Sequence, residues 1–180
     1  MESDWEVEVG GGAPVIEARW AGFVDLRENP ERMTEIAEAV SFPALGGLLL
    51  ALNGAESPVW TAKCDLWEPE QEALGGTADA GVNAALACYV DVLPRDGEVF
   101  TTLEQAEGFC RNWVGRLRDA PGLRGRVELI VRQAFAGEAE GFAISAYLTG
   151  AGADRAAAAV ALRLAMPALA GTIPPAAPAH

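Results

Sequence analysis

Lys63 is the one lysine among thirteen basic side chains, and the one histidine, His180, is the last residue of the sequence. No internal imidazole is on hand to act as a general base, orient a nucleophile or ligate zinc. Chemistry must come from carboxylates, arginines, tyrosines, three cysteines and a lysine set in the strand-like run 57–67. In that run Lys63 and Asp65 share one parity. In the run 86–93, Tyr89 and Asp91 share one parity. If the two runs pair, a lysine is flanked by carboxylates and a phenol on rigid strands. Such a lysine can hold an anion or give up a proton, and Asp65 with Asp91 can share a proton or a divalent cation. The plainer alternatives are a solvated sheet face laced by ion pairs, or a face buried in a homodimer.

The same outward parity, followed through the other strand-like runs, adds Glu17, Arg19, Asp25, Arg132 and Tyr147 to this candidate face. The inward parity carries Trp20, Val24, Trp60, Cys64, Leu66, Cys88, Val90, Val92, Val127, Leu129, Val131, Ile144 and Leu148. Cys64, Cys88 and Cys110 sit among apolar positions without a Cys-x-x-Cys pair, so they read as reduced core residues and no metal site is expected. No cofactor is expected either. Gly10–Gly12 precedes a strand, and Asp154, in the strand-to-helix turn 150–155, would repel phosphate and reads as a helix cap.

The elements that must position these residues follow from periodicity and capping. Residues 5–9 and 15–26 alternate as strands, with Gly10–Pro14 as a break between them. Asn29-Pro30 starts a helix with Met33, Ile36, Ala37 and Val40 on its buried stripe, which Pro43 interrupts. Asn53-Gly54 is expected to close the second part in a left-handed cap. Overlapping capping boxes at Thr101 and Thr102 open the clearest helix, whose stripe is Leu103, Ala106, Phe109, Cys110, Trp113, Val114 and Leu117. Strands at 126–135 and 142–149 and an alanine-rich helix from Asp154 complete the order.

The expected fold class is therefore α+β: a two-layer sandwich with a ferredoxin-like βαββαβ core at about residues 15–135, extended by an N-terminal strand and a C-terminal β-α unit. Residues 1–170 read as one domain with a long loop at 68–85, and 171–180 as a flexible Pro/Ala tail. With 51% apolar residues and a mean hydropathy of +0.14, the chain of 180 residues can bury a core. Its net charge of −13 makes nucleic acid and anionic membranes poor partners and a basic protein or a small-molecule ligand better ones. No membrane span, signal segment or catalytic elbow is evident, and the cysteine usage fits the cytoplasm. The function expected is that of a non-enzymatic acidic binding protein, such as an inhibitor or antitoxin-like neutraliser. The alternative is a small enzyme using Lys63 with Asp65 and Asp91, helped by Mg²⁺ or Mn²⁺.

Overall fold

A computed structural model describes residues 2–69, 81–120 and 125–175. Much of the long loop expected at 68–85, and the end of the tail, lie outside them. The strands are β1 (Glu2–Glu8), β2 (Ile16–Glu17), β3 (Val59–Trp67), β4 (Ala84–Pro94), β5 (Arg126–Ala136) and β6 (Ala139–Gly152). The α-helices are α1 (Ala37–Ser41), α2 (Pro43–Asn53), α3 (Leu103–Asp119) and α4 (Arg155–Gly171), and a 3-10 helix spans Pro30–Glu35.

One six-stranded open sheet runs in the order β1-β5-β6-β4-β3, with β2 alongside β5. β1 and β2 are parallel to β5, and the other pairs are antiparallel. The protein is thus α+β, as its pattern predicts, but the ferredoxin-like order is not the one formed. In that order the strand carrying Asp91 would lie next to the one carrying Glu17. Its actual neighbours are β3 and β6. The hairpin β5–β6 places β6 between β4 and β5, so the crossover through α3 spans a strand that the expected core did not contain.

The helices cover one face. Their apolar side chains meet Leu86, Cys88, Val90, Val92, Val127, Leu129, Val131, Ile144 and Leu148, all of the parity expected to face inward. The stripe of α3 is as predicted: Ala106, Cys110, Trp113, Val114 and Leu117 are buried, and the Trp113 Nε1–H donates to the Leu169 carbonyl at 3.2 Å. Thr102 caps α3 by accepting from the Gln105 N–H, and Asp154 caps α4 by accepting from the Ala157 N–H at 2.8 Å. At Gly150 and Gly152 the sheet touches α4 so closely that a Cβ would collide with the backbone of Ala158 and Leu162 or of Ala157.

Three local expectations are corrected. Residues 15–26 do not continue as a strand beyond Glu17. Gly22, with φ +108°, turns the segment, and it folds over the far face of the sheet, where Ile16, Ala18 and Phe23 pack against Trp60 and Leu93 in a second, smaller core. Trp60 therefore faces away from the helices, while Trp20, also expected to face them, is 37% exposed because its segment has left the sheet. For Trp60 the cause is a bulge: Thr61 pairs with Val92 and Lys63 with Asp91, leaving Ala62 as the extra residue that reverses the parity before it. Finally, Gly54 has φ −57° and forms no left-handed cap, and Ala37 and Val40, expected on a buried stripe, are exposed. The Asn53 side chain instead clamps α2 to β3, accepting from the Thr61 N–H at 3.1 Å and donating to the Thr61 hydroxyl at 2.6 Å.

The buried indole of Trp113 joins α3 to α4 by both packing and a hydrogen bond. Trp113→Ala should cost about 3–5 kcal/mol in chemical denaturation. A loss under ~1 kcal/mol would show that this junction does not hold the helical layer to the sheet.

Candidate functional site

On the face that the helices leave open, cross-strand register brings six predicted residues together. Lys63 stands opposite Asp91, and Asp91 opposite Ser145. In the next row Asp65, Tyr89, Tyr147 and Glu128 follow one another across four strands. Arg132, on β5, completes the group by reaching across to β6. Three other predicted residues lie elsewhere. Glu17 pairs with Phe135, on the parity of the helix-covered face. Arg19 is held by Glu98 at 2.6 Å, and Asp25 by Arg27 at 2.5 Å. Arg19 and Asp25 are separated because residues 18–29 leave the sheet, whereas Glu17 stays in β2 but points to the other face.

At the centre lies a hydrogen-bonded chain. Ser145, fully buried, donates its hydroxyl to Asp91 Oδ1 at 2.5 Å. Arg132 donates to Ser145 Oγ at 3.2 Å, to the Tyr147 oxygen at 2.8 Å and to Glu8 Oε2 at 2.7 Å. The chain therefore ties β4, β6, β5 and β1 together. Parity alone puts Ser145 on this face beside Tyr147, but Glu8 could be found only by knowing that β1 pairs with β5.

Asp91 is 5% exposed despite lying on the uncovered face. Burial raises its pKa to about 6 against the opposing hydrogen bond from Ser145 and the charges of Arg132 and Lys63. Burial, and then Asp91 and Asp65, push the Tyr89 phenol up, so it stays neutral. Burial likewise pushes the Cys64, Cys88 and Cys110 thiols up to about 12, which leaves them poor nucleophiles and poor metal ligands at neutral pH. Among the described residues no group of three or more His, Cys, Asp or Glu side chains is placed to hold a metal ion.

Beside this chain three aromatic rings stand in mutual contact. Trp67 lies 6.2 Å from both Tyr89 and Tyr147, and the two tyrosines are 5.5 Å apart. Trp67 is 36% exposed, and Asp65 and Glu128 border the cluster. The face thus offers rigid aromatic area beside a carboxylate rim, over a floor whose polar groups are already satisfied. Such an arrangement suits recognition better than turnover.

No protein-family model, curated protein or solved structure matches the chain.

The Asp91 environment has a stability consequence with a definite sign. Its folded pKa of about 6 lies above the unfolded value of ~3.9, so the native state holds the proton more tightly. Stability should therefore fall as pH rises from about 4 to about 6 and then level off. Asp91→Asn keeps an acceptor for Ser145 and should remove that slope, gaining about 1–3 kcal/mol above pH 7. Denaturant titrations across pH 4–8 measure it. An unchanged slope, or a less stable variant at pH 8, would contradict the assignment.

Proposed function

We propose that the protein is a non-enzymatic acidic binding protein that engages a basic protein through the open face of its sheet. The observation that carries this is the cluster of exposed Trp67 with half-buried Tyr89 and Tyr147, bordered by Asp65 and Glu128, on a chain of net charge −13. Trp and Tyr supply contact area at low entropic cost, and a carboxylate rim steers a cationic partner and sets orientation. A stoichiometric blocker, such as an inhibitor or an antitoxin-like neutraliser, needs only such a surface. The charge speaks against nucleic acid as the partner, and among the described residues no helix is long and apolar enough to cross a membrane. We place this activity in the cytoplasm, which the three free cysteines support.

A second reading has one observation in its favour. Asp91, with a pKa of about 6 opposite Lys63, is poised for proton transfer, so a small enzyme using Lys63 with Asp65 and Asp91 and a small-molecule substrate, with or without a divalent metal, is the alternative. The burial of Asp91 weighs against it, since a carboxyl 5% exposed and already bonded to Ser145 is hard for a substrate to reach. A homodimer through the same face would use the aromatic cluster, but would set carboxylates against carboxylates.

Affinity chromatography of total protein from the source cells separates these readings. The wild-type chain should retain a basic protein in stoichiometric amount and release it as salt rises. Trp67→Ala and Asp65→Lys, both at exposed positions, should lose it while unfolding normally. Retention that survives both substitutions, or a wild-type chain that retains no basic protein, would overturn the proposal.

A further inference from the structure

Where the bulge at Ala62 turns β3, the sheet edge does not meet the chain that passes it. Residues 20–26 and 35–38 stand off from the strand and enclose a cleft of about 350 Å³. β3 is the last strand of the sheet, so among the described residues no strand fills this space. The walls are apolar, from Val24, Leu26, Ile36 and Leu49. Trp20 stands at the cleft, 37% exposed, with its Nε1–H donated to the Ala62 carbonyl at 3.2 Å, so the indole is fixed in place. Four charged side chains also line the cleft: Glu35, Glu38, Lys63 and Asp65. Glu35 is already occupied by Arg32 at 2.8 Å. Glu38 remains, with Asp65, whose Oδ1 also accepts from the Leu66 N–H at 2.7 Å, against the single ammonium of Lys63, which lies 5.9 Å from the centre of the Trp20 ring.

We infer that this cleft receives an arginine side chain of the basic partner, an inference that rests on the binding reading above. Three features fit that occupant. Apolar walls suit an aliphatic stem, and carboxylates suit its charged head. The Trp20 ring suits a cation on its face, and a planar guanidinium can stack there while bonding Glu38 and Asp65 in a way that an ammonium cannot. The chain's own Lys63 already occupies the outer range of that ring, which shows the local field tolerating a cation. The incoming guanidinium displaces it toward solvent. Lys63 and Asp65 belong both to the cleft and to the open face, so one partner can reach the two together.

The test is an NMR titration of the ¹⁵N-labelled protein with N-acetylarginine amide, with N-acetylnorleucine amide as the uncharged probe of similar stem. The arginine probe should give saturable shifts at the Trp20 indole N–H and at residues 61–65, and the norleucine probe should not. Glu38→Gln combined with Asp65→Asn should weaken the response by about fivefold or more, and Lys63→Met, which removes the competing cation, should strengthen it by a similar factor. Unchanged spectra elsewhere in each variant show that the fold is intact. Equal responses to the two probes, shifts scattered over the surface, or a Lys63→Met variant that binds no better would each overturn the inference. If the cleft ignores arginine while partner retention still depends on Trp67, the cleft assignment alone fails. If retention is lost as a property of the wild-type chain, the binding reading fails first.

Discussion

Helices shield one face of this sheet, and everything on the other face is a response to that asymmetry. A strand buried on one side still alternates, so half of its side chains must find another environment. At one end the solution is apolar. Beyond Glu17 the chain leaves the sheet and folds back, so that Ile16, Ala18 and Phe23 cover Trp60 and Leu93, with Phe23 edge-on to Trp60 at 5.8 Å and the Arg27 guanidinium 4.1 Å from its ring centre. At the other end no segment among the described residues returns, and the face carries ion pairs, hydrogen bonds and rings.

The polar end is held together by Arg132. Its side chain is 12% exposed, and it reaches Glu8, Ser145 and Tyr147 in three directions. A buried cation is tolerated only when its donors are satisfied, and here neighbouring strands supply the acceptors. Ser145 passes the polarity on to Asp91, the one buried carboxyl among the described residues. The floor of the face is consequently rigid and self-satisfied. Above it, among the described residues, Trp67 is exposed, Asp65 is held only by the Leu66 N–H, and Glu128 has only the exposed Arg126 pair at 3.4 Å to give up on meeting a partner.

How much of this was legible from sequence depends on the range of the interaction. The α3 stripe and the alternation of β4, β5 and β6 are local signals, and the buried sets Cys88–Val90–Val92 and Val127–Leu129–Val131 follow them. The opposition of Lys63 to Asp91 was also accessible, because both lie beyond the bulge and keep their parity. The bulge itself was hidden. Ala62 is neither glycine nor proline, and nothing in its neighbours marks an extra residue, yet it moved Trp60 to the other face. Strand order was hidden for a different reason: β1 pairs with β5 across more than a hundred residues, and no local pattern specifies it. That pairing brings Glu8 to Arg132, so the anchor of the site was invisible until the sheet was assembled. The alternation in 15–26 was real, but its apolar residues divide between the two cores, Ile16, Ala18 and Phe23 in the smaller one and Val24 and Leu26 in the main one. Without its partner strand it could not be told from a β-strand.

The claim that the open sheet face is a contact surface for a basic protein is tested most directly by hydroxyl-radical footprinting in extract of the source cells. Labelling should be compared at low salt and at about 1 M salt, where screening shortens to ~3 Å. Trp67, Tyr89 and Tyr147 should be protected at low salt and reactive at high salt. Phe135, 41% exposed and on the opposite parity, should react equally in both. Equal labelling of the three rings under the two conditions would contradict the claim.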